Sequence, residues 1–338
     1  MNVKYSRYRI VIAGVLSALL SCFSPSSANG QDAVYSQFMF DALSVNPGLA
    51  GINDYHKLSG GFRDQWVQIN HAYLTYFASY DQKIEPLRSG IGFQVYRDVA
   101  GSVYSYTSVE LFYSYQFEPV RNFLVSPGLQ IAVAQRAFNT NMLTFPEGNP
   151  FTGNGGLTML ENRTAVYPDV GFGVVVNYSD RYSLGVAAHH LNGPVETLSE
   201  INKKRTPMSL SAHIISYFPF RFGKFDKLEM IFSPGAYIRK QQHQNFIMAG
   251  ANIAYDPVFI GFWFRGSSAA GFHPEAAIFM VGLEHSDSRI VYNYDFKLAT
   301  AKGNFPATGA HEIVLTWKIH PKKRMHAIKC SKYSLNKK

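Results

Sequence analysis

Histidines are the residues of this chain best suited to chemistry, and there are 11 of them. A neutral imidazole can bind a metal or move a proton near neutral pH. His189-His190, His273, His285 and His311-Glu312 are the groups to weigh. None has the H-E-x-x-H spacing that sets two imidazoles on one helical face. On a strand, adjacent side chains point to opposite faces, so His189 and His190 would not share an ion. Asp81, Asp169 and Asp295 stand singly among polar neighbours on strand-like stretches, a setting for salt bridges rather than for a paired acid and base. There is no G-x-S-x-G elbow, no P-loop and no G-x-G-x-x-G. Gly153-Asn154-Gly155-Gly156 has loop composition. No catalytic residue, cofactor or metal is expected, and the chain is not expected to be an enzyme.

The elements carrying these residues have a period of two. Ile290, Tyr292, Tyr294, Phe296 and Leu298 oppose Arg289, Asn293, Asp295 and Lys297, with Val291 the exception. Ile313, Leu315, Trp317 and Ile319 alternate with Glu312, Val314, Thr316 and Lys318. Val109, Leu111, Tyr113, Tyr115 and Phe117 oppose Ser108, Glu110, Ser114 and Gln116, with Phe112 breaking rank. Such faces fit a sandwich with one wet side or a barrel with lipid outside and a polar lumen.

Length, aromatic content and connection lengths favour the barrel. The segments run about ten residues or more, near what a tilted strand needs to cross a membrane. Aromatics make up 15% of residues against 16% charged, rich in girdle residues and poor in the charge that covers a soluble surface. A tight turn at Asp180-Arg181 contrasts with long connections at 138–165 and 191–206. The expected fold is all-β: a transmembrane outer-membrane barrel over 54–320 with about fourteen antiparallel strands, an even count that returns both termini to the periplasm. Strands are expected near 55–65, 72–82, 88–97, 103–118, 122–137, 166–178, 181–190, 207–219, 226–240, 243–255, 258–266, 274–285, 288–298 and 310–320. Pro127-Gly128 and Pro234-Gly235 are expected to bend or bulge the wall.

Residues 1–30 read as a signal peptide: Lys4, Arg7 and Arg9, an apolar stretch from Ile10 to Leu20, then small residues before Gln31. Leu19-Leu20-Ser21-Cys22 is a rival feature, loosely like a lipoprotein cleavage box. Cleavage before Gln31 would leave Cys330 as the lone cysteine, too few for an internal disulfide. Residues 31–53 do not alternate. Tyr35, Phe38, Met39, Ala42 and Leu43 could share one face of a short helix that Asn46-Pro47-Gly48 ends. This segment is expected to plug the barrel or its mouth, or to be an N-terminus tied down by packing. The formal charge of +9 sits at the ends: with residues 1–30 and 318–338 set aside, the body carries −2, which removes the electrostatic warrant for nucleic-acid binding. The basic tail, 321–338 with Lys322, Lys323, Arg324, Lys329 and Lys332, is either a solvated or headgroup-bound segment or a docking segment for an acidic periplasmic partner.

In order along the chain, several short motifs resemble the PorP/SprF family of outer-membrane proteins of the Bacteroidota type IX secretion system. Gln31-Asp32, Tyr35-Ser36-Gln37-Phe38-Met39 and Asn46-Pro47 with Ala50-Gly51 are similar to that family's opening, although Gly48-Leu49 departs from its N-P-A-Y-A-G phrase. Arg63-Asp64-Gln65-Trp66 resembles the following R-x-Q-W element, and Ser79-Tyr80-Asp81 a comparable strand end. His190, Asn192, Pro194, Arg205, Pro207 and His213 match mid-chain landmarks. Tyr294-Asp295-Phe296 and Gly309-Ala310-His311-Glu312-Ile313 resemble the closing hairpin. The resemblance implies a barrel in outer-membrane lipid that works with periplasmic ring and lipoprotein components and supports secretion or surface attachment of cargo proteins. It marks Tyr35, Phe38, Asn46, Pro47, Gly51, Arg63 and Trp66 without saying whether they touch a partner or only hold structure. Asn46-Pro47-Gly48-Leu49-Ala50 also resembles a phrase of the FadL family, which would imply a channel importing hydrophobic molecules past an N-terminal hatch. An exported adhesive sandwich is a third class, disfavoured by the aromatic load.

Overall fold

The computed structural model describes residues 36–69, 72–101, 103–139, 163–195, 205–220, 230–242, 244–268, 272–298 and 309–321. The signal peptide, Cys22, Tyr35, most of the 138–165 connection, Cys330 and the tail lysines and arginine at 322, 323, 324, 329 and 332 lie outside them. No helix among the described residues is long and apolar enough to cross a membrane.

The strands are β1 (His56–Gln65), β2 (Tyr73–Ile84), β3 (Ser89–Ala100), β4 (Tyr104–Tyr115), β5 (Phe117–Val120), β6 (Phe123–Phe138), β7 (Arg163–Tyr178), β8 (Tyr182–His189), β9 (Ser209–Ser216), β10 (Phe218–Phe220), β11 (Met230–Gln241), β12 (Gln244–Tyr255), β13 (Val258–Ser268), β14 (Phe272–His285), β15 (Ser288–Lys297) and β16 (Ala310–Ile319). Each pairs antiparallel with its neighbour, β16 returns to β1, and β9 pairs directly with β11. The short β5 and β10 prolong the strands before them, so the wall is a closed barrel of 14 antiparallel strands. Closure leaves no unpaired edge, the condition for carrying backbone through hydrocarbon.

The side chains sort as the period of two requires. On β4, Val109, Leu111, Tyr113 and Tyr115 face out, while Ser108, Glu110 and Ser114 are buried inside. On β16, Ile313, Leu315, Trp317 and Ile319 face out, while Glu312, Thr316 and Lys318 are buried. A barrel with its large apolar side chains outside and its carboxylates inside is inverted relative to a water-soluble one. So continuous an apolar belt far exceeds what soluble monomers expose, and hydrocarbon is its natural solvent.

The strand ranges follow the sequence expectation closely, with three differences. Pro127-Gly128 and Pro234-Gly235 sit in unbroken register opposite Val174-Gly173 and Ala251-Gly250. The register shifts instead at Arg265/Gly266 and between Phe117 and Val120. The predicted helix is only α1 (Ala42–Val45); ahead of it the chain makes a turn closed by Phe40 N to Gln37 O (2.9 Å), with the Ser36 and Gln37 N–H groups on the Glu312 carboxylate. Connection lengths alternate imperfectly. Glu85–Leu87, Arg121-Asn122, Ser179-Asp180-Arg181, Asp256-Pro257 and Ser286-Asp287 share one end, called here the turn end, together with the longer 221–229 connection. The loop end carries 139–162, 190–208 and 298–309, but also the two-residue link 242–243.

Candidate functional site

The segment Ser36–Ile52 hydrogen-bonds to strands on every side of the ring, which places it inside the barrel. It begins near the loop end, beside Asp295 and Glu312, and finishes at the turn end, where β1 begins.

The loop-end anchor is a buried charge cluster. Arg63 donates Nη1 to Glu312 Oε2 (2.8 Å) and Ser36 Oγ (2.8 Å), and Nη2 to Asp295 Oδ2 (2.8 Å). Arg265 Nη1 adds bonds of 2.7 Å to the same Asp295 oxygen and to Ser36 Oγ. Ser36 Oγ donates in turn to Asp295 (2.7 Å). The backbone N–H groups of Ser36 (3.0 Å) and Gln37 (2.9 Å) take the two oxygens of Glu312, and the Gln37 amide donates to Asn293 Oδ1. Register explains the assembly: Arg63 sits directly opposite Glu312 on β1 and β16, and Asp295 faces Ala310 one strand further on. Two cations meet two carboxylates among buried side chains, so each charge is compensated where leaving it single would be costly.

The middle of the segment separates two unlike halves of the lumen. Phe38 stacks on Tyr237 with ring centroids 5.2 Å apart and meets Trp263 edge-on at 5.3 Å, while Phe40 meets Phe259 edge-on at 5.5 Å. On this side an apolar cluster drawn mainly from β11 to β16 includes Met248, Ile278 and Met280, alongside the Arg265, Asp295 and Glu312 charges of the same strands. The opposite half is polar. Asp41 accepts from Gln94 Nε2 (3.1 Å), and burial pushes its carboxyl up to about 6, partly offset by hydrogen bonding at Ser44 and by the charge of Lys57.

From Asn46 on, backbone lies on backbone. Asn46 Oδ1 accepts from Gly48 N (2.8 Å), capping the 3-10 turn Pro47–Leu49, and its Nδ2 donates to the carbonyls of Val186 (3.0 Å) and Val174 (3.2 Å). Ser126 Oγ donates to Gly48 O (2.7 Å), Ser114 Oγ to Ala50 O (2.7 Å) and Gln116 Nε2 to Gly51 O (2.9 Å). A Cβ on Gly128 would stand 2.3 Å from the Pro47 carbonyl carbon, and one on Gly90 would stand 2.0 Å from Ala50 O, so the wall is bare where the segment rests. Gly51 turns the chain toward β1 with φ +58°, a conformation glycine adopts without strain.

Of the residues singled out from sequence, Phe38, Asn46, Pro47, Gly51 and Arg63 thus come together on this one device. Trp66 does not: it has φ 66°, sits in the loop after β1 and packs edge-on against Tyr73 at the rim. His189 and His190 lie at the loop end, with Nδ1 2.7 Å from Gln130 Oε1 and 2.8 Å from Asp169 Oδ2 respectively. His311 meets the Tyr292 hydroxyl at 2.8 Å. Asp81 accepts from Gly51 N at 3.2 Å. Gln94, Arg265 and the Ser114–Gln116–Ser126 set carried no motif; their one sequence signal was a place on the polar face of a strand. Lumen cavities flank the segment, one toward each end: Glu110, Asp169, His190 and Arg239 are among the lining of the loop-end cavity, and the other opens toward the turns.

The family described as type IX secretion system membrane protein PorP/SprF matches residues 27–317. None of the curated proteins compared matches the sequence. Among solved structures, the toluene transporter TodX of P. putida is 11% identical with TM-score 0.48, over 88% of this chain and 96% of that one. The CymD monoaromatic hydrocarbon channel is 13% identical with TM-score 0.44, over 86% and 96%. A FadL homologue of Pseudomonas aeruginosa is 12% identical with TM-score 0.42, over 81% and 93%.

Proposed function

The chain belongs to the PorP/SprF family of type IX secretion system membrane proteins, and from that premise we propose that it is a non-enzymatic outer-membrane barrel holding partners of that system. In this reading the turn end faces the periplasm and engages ring and lipoprotein components, and the barrel supports secretion or surface attachment of cargo proteins. The observation that carries the choice of a holding role over solute import is the seating of Ser36–Ile52 as a plug. It is anchored at both ends, by the Arg63 cluster and by the Gly48–Gly51 carbonyls. A hatch that must open for each solute would be held by fewer buried charges. The basic tail from 321 is the second element we assign to partner docking, by its charge.

The test is purification from native membrane in mild detergent through a tag in the 138–165 connection, with wild type and a chain ending at Ile319 side by side and mass spectrometry of what accompanies each. Periplasmic ring or lipoprotein components that accompany the wild type support the reading, and their loss on truncation assigns docking to the tail. A barrel that emerges alone with bound lipid or fatty acid overturns it in favour of a FadL-like importer.

A further inference from the structure

Under the inner segment, toward the turn end, lies a chamber of about 230 Å³ that opens to solvent at its mouth. Phe38, Phe40 and Val45 roof it, and Ile215, Ile231 and Phe259 make much of its wall. Three cations line it, Lys57, Arg289 and Lys318, and none of its lining residues among those described is a carboxylate. Arg289 and Lys318 share one carboxylate outside that lining, Glu284, reached by Arg289 Nε at 2.7 Å and by Lys318 Nζ. Lys57 Nζ donates to the Phe40 carbonyl at 3.1 Å. Asp41 and Asp81 lie within electrostatic reach of Lys57, and Asp287 with Glu284 within reach of Lys318, so the cations are partly compensated from behind; the lining itself presents positive charge, and low-dielectric walls concentrate its field.

The second observation is His213. It is 4% exposed, lines the chamber and stands against Gly185, yet neither ring nitrogen has a hydrogen-bond partner among the described residues. A buried imidazole left unpaired is destabilising, and a ligand able to hydrogen-bond would relieve it. Asn177, Ser183 and Ser233 give the same wall further polar groups.

We propose that the chamber receives an acidic peptide segment of a partner approaching from the turn end. Its carboxylates meet Lys57, Arg289 and Lys318, its apolar side chains lie on Phe40, Ile231 and Phe259, and its main-chain amides reach His213. A simple alkyl amphiphile would satisfy the cations and the apolar wall but would leave His213 facing hydrocarbon, and for that reason the peptide fits better. The inference rests on the reading that this barrel holds a partner at its turn end.

The test uses the full chain in nanodiscs and fluorescein-labelled peptides of repeated Leu-Asp-Phe-Glu, read by anisotropy. The acidic peptide is expected to bind at least tenfold tighter than its Leu-Asn-Phe-Gln and Leu-Lys-Phe-Lys counterparts, and Lys57→Gln should weaken it severalfold. Ile215→Trp, which fills the chamber without touching charge, should abolish binding while the barrel keeps its heat-modifiable migration. Equal binding of the amide peptide, or binding unchanged by Ile215→Trp, overturns the proposal. So does displacement by hexadecanoate of a peptide insensitive to its own charge, which would make the chamber an amphiphile site. Partners that still accompany a tagged Ile215→Trp barrel would sink the chamber and spare the holding role, whereas a wild type that purifies alone sinks the holding role.

Discussion

Replacing Arg63 by Ala should release the loop-end half of the inner segment and leave the wall intact. The substitution removes the cation from Glu312, which keeps only the Ser36 and Gln37 N–H groups, while Asp295 retains Arg265 at 2.7 Å. Removing one partner of a buried ion pair costs about 3–5 kcal/mol. Each ~1.4 kcal/mol is tenfold in an equilibrium, so the seated-to-released ratio should fall roughly 10²- to 10³-fold or somewhat more. Hydrogen exchange read by mass spectrometry reports this ratio directly, because segment amides exchange through local opening. In detergent, the amides from Ser36 to Asn46 should lose at least two decades of protection, with β15 and β16 close to wild type. Arg63→Ala combined with Glu312→Gln should recover much of the loss, since no carboxylate is then left unpaired, and the double-mutant cycle should show coupling. Protection within threefold of wild type in Arg63→Ala would refute the anchor. Equal loss in β15 and β16 would show that Arg63 ties the wall together rather than the segment to it.

Gly128→Val should raise exchange at Gly48–Gly51 and lower the unfolding temperature, as overpacking typically costs about 1–3 kcal/mol; Gly60→Ala, whose Cβ would be 3.7 Å from its nearest neighbour, should do neither. The stabilisation linked to Asp41 has a definite sign. Its carboxyl titrates higher in the folded chain than in the unfolded one, so that contribution is full below the ordinary carboxylate range and is lost as pH rises through about 6. Protection of the α1 amides should therefore decline between about pH 4 and pH 6 and level off above, and Asp41→Asn should flatten the profile; an unchanged slope in Asp41→Asn would refute the assignment. Leu315→Arg, at the centre of the outward face of β16, should destabilise the folded barrel in lipid by about 2–4 kcal/mol, measured by urea titration of the heat-modifiable form.

The wall is legible in the sequence because a strand's two faces repeat every second residue and each face has one solvent. Ser108, Glu110, Ser114 and Gln116 read as one polar row from their spacing alone, and they are buried in the lumen. The inner segment is legible only as an interruption. Its partners are remote in the chain, Ser36 and Glu312 being 276 residues apart, and no local pattern specifies a pairing across a ring. The clue lies in the residues that break the alternation. Phe112, apolar on a polar row, packs against Leu43 and Ala50, and Val291 lies in the apolar cluster that Phe38 and Phe40 enter. The helix is shorter than its spacing predicts for a related reason. Phe38, Met39, Ala42 and Leu43 recur at helical intervals, but their side chains pack on different strands, Phe38 on Tyr237 and Trp263 and Leu43 on Phe112, which no local spacing specifies.

The inner segment is held unevenly, and the unevenness says where it can give. Its two ends carry short bonds, from the Arg63 cluster at Ser36 (2.8 Å) and from Ser126 and Ser114 at Gly48 and Ala50 (2.7 Å each). Between them Gln94 Nε2 holds the Ser44 hydroxyl at 2.7 Å, while the backbone ties are longer, Lys57 Nζ to Phe40 O at 3.1 Å and Ser211 Oγ to Val45 O at 3.4 Å. Yet Ser44 lines the cavity toward the loops, and Ala42 and Val45 line the chamber toward the turns, so α1 is the partition between them and only four residues long. Asp41, its N-terminal neighbour, is the group whose charge burial disfavours, and Lys57, which reaches the Phe40 carbonyl just ahead of it, also faces the chamber. An anion drawing Lys57 toward the chamber would withdraw positive charge from Asp41 and weaken the tie at Phe40. A path between the two cavities is thus offered by residues 40–45, whose backbone carbonyl ties at Phe40 and Val45 (3.1 and 3.4 Å) are longer than those Ser126 and Ser114 make at Gly48 and Ala50 (2.7 Å each).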